Sequence, residues 1–426
     1  MTTSEMFTDF LKNLAIDNGT SITSKYEEIT SALNKKFRDT ESKTANSLQV
    51  GSYGRWTGIK GISDLDMLYI MPASKWNSYK DGKQSKLLDD TRDAIKARYS
   101  NTEVKKDRLV VQVLYKNFTV EVQPVFEQDD GSFKYPDTYN GGSWKITKPR
   151  DEIKAMKEFV DQKNKNLRKL CKMARAWKNK HGVGMGGLLI DTLAYNFLKS
   201  RTDYDNRSAA FYDWMCRDFF LYLSEEPNQD YYLALGSNQR VNVKSKFQRK
   251  AKKTYDLCCD AIAAGENDSA NKKWKKVFGR PFPSATKAEA RSIAKAFKDT
   301  EQFIEDLYPL DVRFNLKIEC EVSQDGFRVD LLRTMLSRKL KLSPKKQLNF
   351  YVDEIDVPGE FTLKWKVLNR GAEAERRDCI RGDIVIDKGF RKKQEKTDFA
   401  GEHIVECYAI QNGVVVAKDR IHVPIQ

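Results

Sequence analysis

The sequence predicts an α/β core with a mixed sheet, followed by a helical domain and a small β-rich domain. Strand-like runs and helical spacing alternate over residues 1–165, and helical periodicity dominates residues 166–308. Residues 309–426 consist of short alternating runs, with a hairpin turn at Asn412-Gly413. We therefore predict three domains with these boundaries.

Framework helices are expected over residues 1–40, where apolar residues recur at helical spacing on both sides of a break at Gly19. The predicted core elements that follow are a glycine-rich turn, a strand, a charged helix and a second strand-like stretch: Gly51–Thr57, Leu65–Ile70, Leu87–Arg98 and Leu109–Phe126. The strands expected in the third domain are Phe314–Cys320, Phe361–Leu368, Asp383–Ile386, His403–Ile410 and Val414–Ala417. We interpret Arg391–Lys396 as a solvated loop.

The net charge indicates where an anionic partner would bind. The 426 residues contain 75 Lys and Arg against 60 Asp and Glu, a net charge of +15. Residues 301–426 hold 22 residues of each sign, so the whole excess lies within residues 1–300. We expect this basic region to meet the anionic partner.

Composition argues against several classes of protein. No run of about 18 uncharged apolar residues occurs, and the N-terminus MTTSEMFTDFLKN has acids where a secretory signal would be basic and then apolar. Seven Cys without a CxxC pair, and only three His, disfavour a zinc site or a disulfide framework. We expect a cytoplasmic protein that does not span a membrane.

Two acids open the first core strand. Asp64 and Asp66 lie two residues apart, so strand alternation points both carboxylates to one face. They repel unless a cation lies between them, and carboxylate oxygens suit Mg²⁺, with Mn²⁺ as an alternative. Glu121 interrupts the apolar run FTVEVQPV, a costly position unless its charge is paired or binds metal. Three such acids could hold the two metal ions of an in-line phosphoryl displacement.

The Gly51-Ser52 turn would then hold phosphate, because backbone amides in a glycine-rich turn at a helix start point donors at an anion. Each feature alone has a simpler interpretation. A DxD pair is common in turns, Glu121 could face solvent on an edge strand, and Gly-Ser is usually a turn. Their combination indicates phosphoryl transfer.

A basic face is predicted on the helix over residues 167–180. Arg168, Lys172 and Arg175 are spaced by four and three, beside an apolar face. This face could contact a triphosphate, for which the Arg fork is suited, or remain solvated.

The order GS, SDLDM, then an acid on a later strand resembles polymerase-β-like nucleotidyltransferases. More narrowly, three segments resemble the bacterial cGAS/DncV-like nucleotidyltransferases, called CD-NTases or the SMODS family: GSYGRWTGIKGISDLDMLYI, LRKLCKMARAW and WKKVFGRPFP. This similarity covers roughly residues 5–300. The tail segments WKVLNRG, RGDI, GEHIVECYAI and NGVVVAKDRIHVPI resemble the C-terminal sensor domain AGS-C.

The resemblance implies a template-independent, Mg²⁺-dependent enzyme that joins NTPs or dNTPs into a small cyclic or linear oligonucleotide second messenger in antiphage defence. The second domain would be of the oligoadenylate-synthase type, and the product would act on an effector protein, such as a membrane-embedded one. By motif, the implied site residues are the catalytic metal ligands Asp64, Asp66 and Glu121, the phosphate-binding Gly51 and Ser52, and the triphosphate-binding Arg175 and Lys172.

Two positions depart from the family pattern. Glu121 stands where Asp is frequent, and Gly187 stands where relatives place a Ser that contacts triphosphate. Two other functions stay open at this point. One is nucleotide addition to RNA ends or to a protein; the other is a catalytically inactive core that presents the β-rich tail as a nucleotide sensor.

Overall fold

We describe the chain from a computed structural model, which covers residues 1–17, 19–61, 64–266, 268–284, 302, 304–308, 310–324, 327–369, 372–376 and 381–426. Ser63 of the SDLDM motif lies outside the described residues. The chain divides into two compact units. The first comprises Met1–Ile22 and Gln49–Lys295, and the second Thr23–Leu48 and Ala296–Gln426.

The α-helices up to residue 278 are α1 Thr3–Asn13, α2 Gly19–Arg38, α3 Gly51–Gly54, α4 Trp76–Tyr79, α5 Gln84–Arg98, α6 Pro149–Gln162, α7 Leu167–His181, α8 Gly187–Lys199, α9 Tyr212–Glu225, α10 Gln248–Ala263 and α11 Asp268–Phe278. The strands up to residue 312 are β1 Ser47–Gln49, β2 Asp64–Ile70, β3 Glu103–Lys106, β4 Val111–Leu114, β5 Thr119–Glu127, β6 Phe133–Asp137, β7 Ser143–Thr147, β8 Tyr231–Leu233, β9 Arg240–Asn242 and β10 Asp311–Val312. The later strands are β11 Leu316–Gln324, β12 Phe327–Leu331, β13 Gln347–Ile355, β14 Thr362–Leu368, β15 Ile384–Ile386, β16 Lys392–Lys396, β17 Gly401–Gln411 and β18 Val414–Ile425.

A mixed sheet forms the core of the first unit, as predicted. Strands β2, β5, β4 and β3 lie side by side in that order; β2 and β5 are parallel, and the other two pairings are antiparallel. The β6–β7 hairpin continues from the end of β5. The single strand-like stretch expected over Leu109–Phe126 is two strands, because the backbone turns between Tyr115 and Phe118, whose N–H and C=O groups lie 3.0 Å apart.

Helices α6 to α11 of the first unit pack around an aromatic centre, and α1 packs into it. Phe7 lies 5.0 Å from Trp274 between ring centroids, and Phe10 lies 4.7 Å from Phe278 and 5.0 Å from Phe282. All five side chains are buried. The WKKVFGRPFP segment therefore contributes packing to this core. None of the helices in the described ranges is long and apolar enough to span a bilayer.

Two antiparallel four-stranded sheets dominate the second unit, in the orders β12-β11-β13-β16 and β15-β14-β17-β18. Phe350 of the first sheet and Trp365 of the second belong to one buried cluster, so the sheets enclose a common core. The predicted β-rich domain is confirmed. The interpretation of Arg391–Lys396 as a loop is wrong: it contains β16, which pairs with β13. Its sequence KKQEK has no apolar alternation, and charged residues are tolerated there because β16 is an edge strand.

Candidate active site

A cleft of about 710 Å³ in the first unit is lined by all five residues that the sequence placed at the catalytic centre: Asp64, Asp66, Glu121, Gly51 and Ser52. The parallel register of β2 and β5 sets Asp66 directly opposite Glu121, with Asp64 two residues earlier on β2. Within the described residues, no group of three or more His, Cys, Asp or Glu side chains is arranged closely enough to bind one metal ion. The three carboxylates share the cleft without converging on one point, and their roles stay predictions.

The neighbouring carboxylates disfavour the ionised form of Asp66. Burial, then the charges of Glu121 and Asp64, raise the pKa of Asp66 from 3.8 to about 6, although the positive charge of Arg55 opposes the shift. Glu121 accepts a hydrogen bond of 2.9 Å from the Gln112 side-chain amide, which orients its carboxylate. Because the donors are all carboxylate oxygens that repel one another, the residues suit a hard divalent cation.

The glycine-rich turn lies against Asp66. Gly51 has φ +64°, and a Cβ added there would lie 1.8 Å from the Asp66 Oδ2 atom. Only a residue without a side chain permits this approach. The Val50 N–H donates to the Asp66 carbonyl at 3.0 Å, and the Ser52 carbonyl accepts from the Thr57 N–H at 2.9 Å. Ser52 is thereby held in a fixed turn beside the carboxylates.

A buried ion network supports this turn from behind. Asp191 on α8 accepts hydrogen bonds from Arg55 Nε at 2.9 Å, Arg175 Nη1 at 2.5 Å and Thr57 Oγ1 at 2.9 Å. Arg55 Nη1 also donates to Glu152 of α6 at 3.0 Å. Burial would raise the pKa of Asp191, but the Arg175 and Arg55 charges hold that pKa below its ordinary value. The network connects the glycine-rich segment to α6, α7 and α8.

The basic face predicted on α7 divides among three environments. The Arg168 guanidinium lies 4.1 Å from the centre of the buried Trp56 ring, so it packs rather than faces the cleft. Lys172 is not among the residues that line the cleft. Arg175 lines it, but its guanidinium binds Asp191 and the backbone carbonyl at residue 187. Direct contact of Arg175 or Lys172 with triphosphate stays a prediction, whereas the structure shows Arg175 fixing α8.

Two lysines that sequence analysis missed line the cleft. Lys178 lies one turn beyond Arg175 on α7, and Lys244 lies between β9 and α10. Burial, then the positive charges of Arg175 and Lys244, lower the pKa of Lys178, and the Asp64 charge opposes this. The cleft therefore has carboxylates and ammonium groups in proximity. The helical spacing of Lys178 from Arg175 could have indicated it, but no motif surrounds Lys244.

We expect Lys178→Ala to raise KM for the nucleotide substrate by roughly 10- to 100-fold, because a hydrogen bond to a charged group contributes roughly 1.5–3 kcal/mol. The matched control is Lys180→Ala, which removes the same charge from an exposed position of the same helix outside the cleft lining. Initial rates over a range of nucleotide concentrations measure both variants. A larger rise in KM for the Lys180 variant would contradict the assignment.

We expect Asp191→Asn to lower the free energy of unfolding of the first unit by about 3–5 kcal/mol. The amide cannot balance the two buried guanidinium groups of Arg55 and Arg175, and breaking a buried ion pair leaves an uncompensated charge. Urea unfolding monitored by tryptophan fluorescence measures the change, with the exposed Asp230→Asn as control. A loss below about 1 kcal/mol would show that the network contributes little.

Two family models match separate parts of the chain. The family model described as Second Messenger Oligonucleotide or Dinucleotide Synthetase domain, SMODS, matches residues 1–159. The model described as Adenylyl/Guanylyl and SMODS C-terminal sensor domain, AGS_C, matches residues 298–426. Residues 1–159 are a SMODS domain, and residues 298–426 are an AGS_C domain. The chain therefore contains a nucleotidyltransferase domain, and the resemblance seen in the sequence is confirmed.

Individual relatives are distant. A probable cyclic nucleotide synthase of Bacillus cereus is 20% identical over 273 residues, which are 55% of this chain and 81% of that protein. The structure of E. coli MS115-1 CdnC in complex with HORMA-deltaN has a TM-score of 0.52 at 15% identity, covering 66% of this chain and 98% of the CdnC chain. The same protein with ATP gives 0.50 at 15% identity, covering 66% and 99%. These two structures show the shared fold.

Proposed function

We propose that this protein is a CD-NTase, which joins NTPs or dNTPs without a template into a small cyclic or linear oligonucleotide second messenger. The observation that carries the proposal is the register of β2 and β5, which sets Asp66 opposite Glu121 in the cleft that also contains Asp64, Gly51 and Ser52. The second-messenger synthetase description of the SMODS domain and the name of the Bacillus cereus relative support a cyclic or linear oligonucleotide product.

The residues of the cleft have separate roles in the reaction. The donor triphosphate lies against the Gly51-Ser52 turn, and the ammonium groups of Lys178 and Lys244 neutralise its outer phosphates. The 3′-hydroxyl oxygen of the acceptor forms a bond to the α-phosphorus while the bond to the pyrophosphate oxygen breaks, and the hydroxyl proton passes to water. The Arg55–Asp191 ion pair fixes the turn, so that the α-phosphate is held in line with the acceptor.

Asp64, Asp66 and Glu121 would hold Mg²⁺, with Mn²⁺ as an alternative. Their fit rests on the all-oxygen donor set and on the raised pKa of Asp66, which reflects a repulsion that a cation relieves. Bound divalent ions would stabilise charge on the entering and leaving oxygens of the phosphoryl transfer. The chain's own contribution is to keep three carboxylates in one cleft.

Product analysis tests this function. Wild-type protein is incubated with NTPs, dNTPs and Mg²⁺, with and without added RNA, and the products are identified by mass spectrometry. Small oligonucleotides formed without RNA are expected, and Asp64→Asn should not form them. Incorporation that requires RNA or protein would favour an end-modifying enzyme, and nucleotide binding without turnover would favour an inactive sensor.

In the cell, we propose that the product activates a downstream effector, such as a membrane-embedded protein, in antiphage defence. The second-messenger description of the SMODS domain supports this role. The test compares phage plating on cells that express the wild-type protein with its neighbouring genes, or the Asp66→Asn variant in the same context. Equal plating on both would remove the defence proposal while leaving the chemistry intact.

A further inference from the structure

The sheet face that carries the carboxylates continues one residue pair further, to Leu68 and Gln123. These two residues are directly opposite each other in the parallel register of β2 and β5, next to the Asp66–Glu121 pair. Because side chains alternate along a strand, Gln123 projects on the same face as Glu121, and both line the cleft. Two residues of a strand extend by roughly 7 Å. Gln123 is therefore separated from the carboxylates by about the width of a sugar ring.

The surroundings of Gln123 are apolar, in contrast to the charged centre of the cleft. The buried Leu68 lies on its β2 side. On its other side, Val111 pairs with Val122, which places the half-buried Val110 opposite Gln123. Both Leu68 and Val110 line the cleft. Apolar walls favour the flat face of a nucleobase over a phosphate, because burial stabilises apolar surface but costs a charge its hydration.

The side-chain amide of Gln123 is only partly bonded. Its Nε2 atom donates to the Leu109 carbonyl at 3.4 Å, which is long for such a bond. Within the part of the chain that the structure describes, its Oε1 atom has no hydrogen-bond partner. A carboxamide nitrogen has two N–H donors, and the oxygen accepts. One donor and one acceptor therefore remain side by side for a ligand in the cleft.

Gln123 and the glycine-rich turn lie on opposite sides of Asp66. The Val50 N–H donates to the Asp66 carbonyl along one edge of β2, just before the Gly51-Ser52 turn, whereas β5 lies along the other edge. The proposed donor triphosphate occupies the side of the turn. The β5 side, with Gln123, is then left for the acceptor nucleotide.

We propose that Gln123 selects the nucleobase of the acceptor nucleotide, with Leu68 and Val110 flanking the amide and covering the base. The amide matches a base edge that has a donor beside an acceptor, and the expected base is adenine, with which Gln forms a bidentate pair. This assignment rests on the proposed joining of nucleotides. It adds to that function the residue that determines which base is accepted.

The test measures acceptor preference with 3′-deoxy-ATP as the donor, which has no 3′-hydroxyl and cannot act as an acceptor. ATP, GTP, CTP and UTP compete as acceptors for the full-length protein with Mg²⁺, and mass spectrometry quantifies each linear dinucleotide that ends in 3′-deoxyadenosine. The wild type should use ATP with a kcat/KM at least about tenfold above that of the other three. A wild type that uses all four equally, or prefers another base, would overturn the proposal.

Two substitutions at Gln123 separate base recognition from a structural role. Gln123→Leu keeps the approximate size and removes the amide, so the four kcat/KM values should converge to within about threefold. Gln123→Glu offers acceptors only, and guanine is the base whose edge has two adjacent donors, N1–H and the N2 amino group. GTP should therefore become the preferred acceptor of this variant. The control Gln162→Leu, at an exposed position outside the cleft lining, should keep the wild-type ranking.

An unchanged preference for ATP in both Gln123 variants would contradict the assignment. Equilibrium binding of the same four nucleotides in EDTA distinguishes this failure from failure of the proposed function. If no nucleotides are joined, but the wild type binds ATP preferentially and Gln123→Leu loses that preference, the proposed reaction is wrong and base recognition by Gln123 stands. Joining without any effect of Gln123 on base preference would leave the reaction intact and remove this inference.

Discussion

Asp66→Asn is expected to lower kcat for nucleotide joining by at least about 10³-fold, equivalent to roughly 4 kcal/mol of transition-state stabilisation. The substitution keeps the size of the side chain and removes the charge that lies opposite Glu121 across β2 and β5. The cleft would then lack one of its three carboxylate ligands. Initial rates of pyrophosphate release at saturating nucleotide and Mg²⁺ measure the loss.

The matched control for this prediction is Asp129→Asn, which makes the same chemical change in an exposed turn of the first unit outside the cleft lining. Its kcat should stay within about twofold of the wild type, because a distant exposed charge contributes little. If the Asp66 variant kept a tenth or more of the wild-type kcat, Asp66 would not be a metal ligand in the reaction.

Gly51→Ala is expected to lower kcat/KM by about 10²-fold, although it adds only one methyl group. The added Cβ would lie 1.8 Å from Asp66 Oδ2, so either the turn or the carboxylate must move. A displacement of about 1 Å at a reacting centre can cost 10²-fold. Titration of the initial rate with nucleotide, together with circular dichroism of the folded variant, measures this effect.

Gly82→Ala separates the clash from the backbone strain. Gly82 has φ +65°, close to the +64° of Gly51, but no atom lies within 4 Å of its added Cβ. Both variants therefore carry the same cost of a left-handed backbone, roughly 1–2 kcal/mol, and only Gly51→Ala crowds Asp66. Equal activity of the two variants would mean that the close approach of Gly51 to Asp66 has no part in catalysis.

The residues that meet in the cleft through local rules could be predicted from the sequence. Strand alternation fixes the face of Asp64 and Asp66, and the glycine-rich turn precedes them by only a few residues. Glu121 was found because a charge inside an apolar strand is costly. The parallel pairing that sets it opposite Asp66 was expected in kind, since a neighbouring strand had to supply the third acid.

The buried ion network and the two cleft-lining lysines depend on tertiary contacts that local sequence patterns do not predict. Arg175 was expected to contact phosphate, but its guanidinium binds Asp191, which is 16 residues away on the next helix. Lys244 comes to the cleft from a segment between β9 and α10 that has no periodicity. In the second unit, β16 was missed because an edge strand does not need apolar alternation.

The most direct test of the proposed cation-binding centre is thermal unfolding of the wild type and Asp66→Asn, in EDTA and in Mg²⁺ or Mn²⁺. Folding raises the pKa of Asp66 from 3.8 to about 6, so the ionised carboxylate opposes folding above pH 6 and has no effect below about pH 3.8. Without metal, the variant should therefore be more stable by roughly 2–3 kcal/mol at pH 8, and this advantage should fade as the pH falls through 6. Divalent cations should raise the Tm of the wild type and leave the variant nearly unchanged. Equal Tm values in EDTA and equal responses to the cations would contradict a metal centre at Asp64, Asp66 and Glu121.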